Sequence, residues 1–550
     1  MASQPPLLVD TGRGLTIRYR QKLLYSSVDP RGAALRRARR IPLSEKTLVF
    51  VPSLGLGYGL AELLERLPAG SHVLCVETNQ ELMHLGCSTA VLPRDERLTV
   101  VRSGSAEAVA RVLQDLGAWR FRRVIPLYLC RAYELDKETY AEMLAMLESG
   151  VRAWWQNRLT LNRMARLWIR NLFTNLHLLG GPDAPPTADL SELRTEKALL
   201  LAGAGPSLED SLEWIGHRRA ELFVLAVDTA LPVLLDAGIR PDAVFVLEAQ
   251  LANLQDFLAH PGLRLPLICD LTSNPWIIRR LGGKGLYFFS SCFYPLKLFD
   301  RLRTRGLLPA QLPPLGSVGV AAAAAALGIA SGPLLLAGLD FSYPEGKTHA
   351  RGAPFHRAML HGTCRYNSVD MPGYEAVQTR PLLRLRNGSG RPVLSDLVLQ
   401  GYALKLREII ASSDGVFTLS ERGLPSGAPL LRVRQANGLA ARIPTVAAPV
   451  RSSLPARAFT PTRKAVAAFL EGEEKLLDAA AAACRMTREN SHDPGAAQAP
   501  LRETLKQVEY AYLDLPDFTP ELRLSGDLLT RVAGAVTDTR RRLMELRREA

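Results

Sequence analysis

Short apolar runs, each closing on a glycine or a polar residue and followed by a helical pattern, recur along most of this chain. The stretch "TLVFVPSLGLGYGLAELLERL" (47–67) reads as strand, glycine turn and helix. "HVLCVET" (72–78), with Glu77 at the end of its apolar run, and "RRVIPLYL" (122–129) read as further strands. A helical stretch over 137–178 leads to "LGGPDAPPTADL" (179–190), whose glycines and prolines mark a linker. Beyond it the alternation strengthens. Strands are expected at 198–202, 222–227, 243–247, 265–269, 286–289 and 333–337, ending on Gly203, Asp228, Glu248, Asp270, Ser290 and Gly338. Strands alternating with helices predict parallel sheets with crossover helices. Ligands of such sheets gather outside the carboxyl ends of the strands. The last part is helical, at 462–486, 501–515 and 528–550, with "SHDPGAAQAP" parting the first two. The expected fold class is α/β: a Rossmann-like domain over 1–180, a second Rossmann-type domain over 190–440 that carries the chemistry, and a helical region over 441–550.

At 550 residues the chain exceeds a single core. Its 47% hydrophobic and 22% charged residues match a soluble globular protein. No uncharged apolar run reaches the roughly 18 residues that a membrane span needs. Asp10 interrupts the first residues where a signal peptide keeps its apolar core. The seven cysteines stand singly, without a CxxC pair, which points to a reducing cytoplasm and away from a disulfide frame or zinc knuckle. The net charge of +14 raises nucleic acid as a partner. Its arginines are scattered, however, through "RGAALRRARRI", "RLTLNRMARLWIR" and "TRRRLMELRREA", without the interleaved aromatics that stack bases. A face that attracts anionic small molecules or an acidic protein fits better.

Three stretches carry candidate chemistry. In "LLLAGAGPSLEDSLEWI" (199–215), Gly203 and Gly205 let the backbone turn sharply and a ligand approach its amides. Pro206 suits the turn, and Ser207 with Asp210 can form a capping box. Free amides at such a helix start attract phosphate; a well-capped connection with no ligand has the same pattern. In "LFVLAVDTALPVLLDAGIRPDAVFVLEAQ" (222–250), Asp228 and Thr229 follow one strand, and Glu248 and Gln250 close the next. Asp228 can accept from a ribose or base, or serve only as an N-cap, and Gln250 can read a base or sugar. The third stretch, "LGSVGVAAAAAALGIASGPLLLAGLDFSYPEGKTHARG" (315–352), sets Ser317 and Gly319 before six successive alanines. Gly338, Asp340 and Ser342 then occupy a strand's carboxyl end. His349, His356 and His361 follow at no zinc-binding spacing, which predicts acid/base or phosphate contacts and no metal. The "GLGYG" turn (55–59) with Glu77 reads as structural rather than as an S-adenosylmethionine site, because no substrate motif accompanies it.

Together "GAGPSLED", "VDTALPVLLDAGIRPDAVFVLEAQ" and "GLDFSYPEGKTHARG" resemble the motility-associated factor (Maf) family of bacterial flagellin glycosyltransferases. "YSSVDPRGAALRRA", "PSLGLGYGLAELL" and "FTLSERGLPSG" match that family's flanking pieces. Its central region is similar to an archaeal-type 6-hydroxymethylpterin diphosphokinase, the MptE-like domain, and to sialyltransferases that use CMP-activated sugars. The resemblance implies that Gly203, Gly205, Pro206, Ser207, Asp228, Ser317, Gly319, Gly338 and Asp340 surround the nucleotide. Asp228 departs from the asparagine common at that place in the sialyltransferases. Thr229, Glu248, Gln250 and Ser342 complete the expected donor site, and His349 and Asp340 are the catalytic candidates, with His356 the competitor of His349. The implied activity is transfer of a nonulosonic, sialic-acid-like sugar from a CMP donor to Ser or Thr of flagellin, with no cofactor. Two alternatives stand beside it. One is a Mg²⁺-dependent pterin diphosphokinase with the ion on Asp228, Glu248 or Asp340. The other is a non-catalytic flagellin-binding assembly factor. Self-association into a homo-oligomer stays open.

Overall fold

The computed structural model describes every residue except 1–4, 90–91, 259–261, 282–284, 369, 436–437, 440–441, 445–458, 490–493, 517, 519–524 and 549–550. The chain forms two compact units, Met1–Arg163 and Met164–Ala550, divided within the helix Lys137–Leu179. The boundary expected at 440–441 lies outside the described residues.

The first unit opens on an antiparallel meander of β1 (Leu7–Asp10), β2 (Leu15–Tyr19) and β3 (Lys22–Leu23). A four-stranded parallel sheet follows, from β4 (Thr47–Pro52), β5 (His72–Glu77), β6 (Leu98–Arg102) and β7 (Arg123–Pro126), in the order β6-β5-β4-β7. β4 and β5 are buried along their whole length, as strands covered on both faces are. The strand pattern expected at 47–78 and 122–129 forms here. The apolar pattern does not mark β6, whose residues are mostly half-buried, or the meander, whose strands are short.

The second unit holds a nine-stranded parallel sheet. Its strands are β8 (Thr187–Asp189), β9 (Ala198–Ala202), β10 (Leu222–Val227), β11 (Ala243–Val246), β12 (Leu267–Asp270), β13 (Leu286–Ser290), β14 (Ala310–Gln311), β15 (Leu334–Ala337) and, after the hairpin of β16 (Leu382–Arg386) and β17 (Pro392–Asp396), β18 (Val416–Thr418). The stretch read as a linker is partly sheet. Its β8 pairs with β13 in register Leu286↔Thr187, so this segment widens the sheet. From β9 to β14 the chain steps outward in one direction; β15 then returns to the other side of β9, with β18 beyond it. Strand order therefore reverses between β9 and β15, which in open parallel sheets is where a crevice opens. The alanine helix Val318–Ile329 is buried nearly all round and packs on β9, β10 and β11, its short side chains allowing the close approach.

The helices Arg463–Glu489, Pro494–Leu505 and Gly526–Arg548 belong to this same unit. The middle one stops at Leu505, short of the 515 that its pattern suggests. Its carbonyl end is capped: the buried Tyr512 hydroxyl donates to the Leu505 carbonyl at 2.9 Å, and the chain turns through Glu509–Ala511.

Candidate functional site

The reversal of strand order sets the turns after β9 and β15 side by side. The Gly203 amide donates to the Ala337 carbonyl and the Gly205 amide to the Gly338 carbonyl, both at 2.8 Å. The Ser207 amide donates to Asp340 Oδ2 at 2.8 Å. Amides expected to cradle a phosphate are thus engaged by the neighbouring turn. A Cβ on Gly205 would lie 2.5 Å from Asp340 Oδ2 and 2.7 Å from the Gly338 oxygen, so the glycine is required for the two turns to interlock. Gly338 itself has φ +65°, and a Cβ there would overlap the Gly203 carbonyl. The capping box does not form. Pro206–Asp210 is a 3-10 turn without a side-chain cap, and the Asp210 carboxylate is held by Arg422 at 3.0 and 2.9 Å.

A cavity of about 190 Å³ lies over these turns. The helix Val318–Ile329 begins in its wall, through Ser317, Val318 and Gly319. Ser317 occupies the N-cap with no side-chain cap bond, and first-turn amides lack intrahelical acceptors, so the positive end of the helix is available to an anion there. His349 lines the same cavity. Its buried Nδ1 has no hydrogen-bond partner among the described residues, and burial lowers its pKa from the ordinary histidine value, keeping the ring neutral. His356 is not in this wall; its Nδ1 accepts from the Gly352 amide at 3.4 Å. Phe341, at the left-handed φ of +46°, and Tyr402 close another side, with ring centroids 6.4 Å apart. Asp396 anchors the Tyr402 helix, Leu397–Ile410, by accepting from the amides of Val398 and Leu399 at 2.8 and 2.9 Å.

Folding brings Gly203, Gly205, Thr229, Ser317, Gly319, Gly338, Asp340, Ser342 and His349 to this one cavity. Pro206, Ser207, Asp228, Glu248 and Gln250 are not among its lining residues. Pro206 and Ser207 are buried in the interlocked turn. Gln250 is exposed, with its amide on the Met164 sulfur at 3.3 Å. Asp228 is fully buried at the end of β10; its Oδ1 accepts from the Thr229 amide at 2.9 Å, and its Oδ2 has no partner among the described residues. Burial, helped by the neighbouring Glu248 charge, pushes its pKa up to about 7. Asp256 is pushed to about 8 by burial and by Asp228 and Glu248. Among the described residues, no group of three His, Cys, Asp or Glu is placed to hold a metal ion. Asp340 is turned to the Ser207 amide, so Asp228, Glu248 and Asp340 do not fit as a Mg²⁺ ligand set. In the first unit, Glu77 accepts from Ser53 Oγ at 2.6 Å and the Leu54 amide at 3.0 Å. The Tyr25 hydroxyl accepts from the Leu56 amide at 2.8 Å and packs where a Cβ on Gly55 would lie. That glycine turn is filled by the chain's own side chains.

Residues 170–346 match the family model described as "6-hydroxymethylpterin diphosphokinase MptE-like". A protein of Treponema pallidum (strain Nichols), described as uncharacterized, is 30% identical over 429 residues, covering 77% of this chain and 73% of its own length. The chain belongs to that protein's family and carries an MptE-like domain. A second uncharacterized treponemal protein is 34% identical over 85 residues, 16% of this chain and 39% of its own. The solved structure of a Maf glycosyltransferase from Magnetospirillum magneticum AMB-1 superposes with a TM-score of 0.57, covering 99% of this chain and 92% of its own at 17% identity. The fold is therefore the Maf glycosyltransferase fold. The MptE-like match ends at 346, before His349, Leu399 and Tyr402 of the cavity. Leu399 and Tyr402 carry no motif; the helix that bears them follows an ordinary amphipathic pattern, and folding alone delivers it to the site.

Proposed function

We propose that this protein is a glycosyltransferase that moves a nonulosonic sugar from a CMP donor to a Ser or Thr hydroxyl of flagellin. The observation that carries the reading is a neutral His349 in one cavity with the free N-terminus of the helix Val318–Ile329, at the strand-order reversal of a Maf glycosyltransferase fold. The acceptor oxygen attacks the anomeric carbon, the bond from that carbon to the phosphate oxygen breaks, and the His349 imidazole takes the hydroxyl proton. CMP departs with its growing negative charge directed at the helix amides and the Ser317 hydroxyl. Asp340 ties the two turns together and acts as a positioning residue.

The description of the family model supports a second reading, diphosphate transfer to a pterin. Titration of the purified protein with CMP, and separately with ATP and Mg²⁺, discriminates between the two. Binding of CMP, together with a nonulosonate mass increment on flagellin incubated with CMP-N-acetylneuraminate, supports the first. Binding of ATP with Mg²⁺ but not of CMP overturns it in favour of the second. Binding of neither leaves a flagellin-binding assembly factor.

A further inference from the structure

A second cavity, of about 650 Å³, opens between the β16–β17 hairpin and the segment 343–346. Cross-strand pairing sets Arg384 opposite Leu394, while Leu385 turns to the other face and packs with Val393, Ala403 and Leu424. Arg384 and Arg391 both line the cavity, beside Asn387, Glu345 and Arg422. The arginines differ in how their charge is met. Arg422 donates through Nη1 to both Asp210 oxygens and pairs through Nη2 with Glu345 at 2.9 Å, so two carboxylates balance it. Arg386, on the same hairpin, donates to the Gly390 carbonyl at 2.8 Å. Among the described residues, neither the Arg384 nor the Arg391 guanidinium has a hydrogen-bond or ion-pair partner. Two unbalanced cations on one concave wall repel each other, and an anion between them relieves that repulsion. A guanidinium is moreover a rigid fork matched to carboxylate and phosphate. The volume falls in the range of small-molecule sites, roughly 300 to 1,000 Å³.

We propose that this cavity binds a small molecule bearing a carboxylate or a phosphate, at a site distinct from the glycine-turn cavity. The assignment stands on these arginines and does not depend on the transfer reaction proposed above. Phenylglyoxal labelling of the full chain, read by peptide mass spectrometry, tests it in two arms. Inorganic phosphate supplies the phosphate arm and N-acetylneuraminate the carboxylate arm. Arg384 and Arg391 should label faster than the paired Arg422, and saturating amounts of one probe should slow their labelling by about 10-fold or more, the factor by which a ligand at about ten times its Kd depletes the free site. The probe that protects identifies the anion. The double variant Arg384→Gln/Arg391→Gln should bind that probe about 10-fold more weakly at an unchanged melting temperature, since both positions are exposed. His349→Ala should retain the protection, which separates this site from the proposed transfer site. Labelling of both arginines that neither probe slows, or wild-type affinity in the double variant, overturns the proposal.

Discussion

His349 owes its character to its surroundings. Its spacing after Gly338 put it on a loop near strand ends; burial beside Phe355 and an unpartnered Nδ1 leave it a neutral base at neutral pH. His349→Ala should lower the transfer rate by roughly 10²-fold or more, the scale of general-base loss, with donor affinity nearly unchanged. Because burial lowers its pKa, the acid limb of the wild-type rate should fall below the ordinary histidine value of about 6.5. Near-wild-type turnover in the variant would remove His349 from the mechanism. Asp228 presents the opposite case, a carboxyl that burial keeps protonated. It holds its proton up to about pH 7 in the folded chain, whereas the unfolded chain releases it near pH 3.9. Over that interval the folded state binds more protons, so this group's contribution to stability falls as pH rises from about 4 through 7. Asp228→Asn should therefore stabilise the protein at pH 8 by on the order of 4 kcal/mol, and hardly at all at pH 4. Urea unfolding at both values decides the matter; an equal gain at each would mean that ionisation is not the cause.

The glycine turns were legible as elements, but their purpose was not. Phosphate cradling and turn interlock both ask for glycine, and the partner that distinguishes them, Asp340, lies 133 residues beyond Ser207. Gly205→Val would press a side chain into Asp340 and the Gly338 carbonyl. It should destabilise the fold by roughly 3 kcal/mol or more, the range of severe overpacking, so any loss of ligand binding follows from damage to the site's frame. Thermal unfolding checks this. A wild-type melting temperature combined with lost CMP binding would restore direct cradling by the turn.

For the whole molecule, the C-terminal helices are part of the unit that carries the cavity. Arg301, on the helix Lys297–Thr304, forks on the buried Glu473 at 2.5 and 2.7 Å, and the Tyr510 hydroxyl donates to the same carboxylate at 2.9 Å. Phe469, tilted, and Tyr510, edge-on, pack around Phe173. Glu473→Ala strands Arg301 in a largely buried setting and should cost about 3 kcal/mol, as breaking one side of a buried pair does. Denaturant unfolding measures it, and a loss below about 1 kcal/mol would show the pair to behave as an exposed one. Deleting residues from about 455 onward should accordingly lower stability, because it uncovers Phe173.

The sequence by itself determined the α/β class, the central parallel strands and the places where they turn, because apolar periodicity and turn chemistry act between near neighbours. It also determined that Ser317, Asp340 and His349 stand near strand or helix ends. Only the tertiary structure decided that β15 pairs with β9 instead of extending the sheet beyond β14, and every feature of the candidate site depends on that choice. It brought two glycine turns into contact, left Asp228 and Glu248 outside the cavity wall, and carried Tyr402 into it. Each of these is a contact between residues far apart in the chain, settled by burial and hydrogen-bond completion across the whole sheet, to which no local pattern refers.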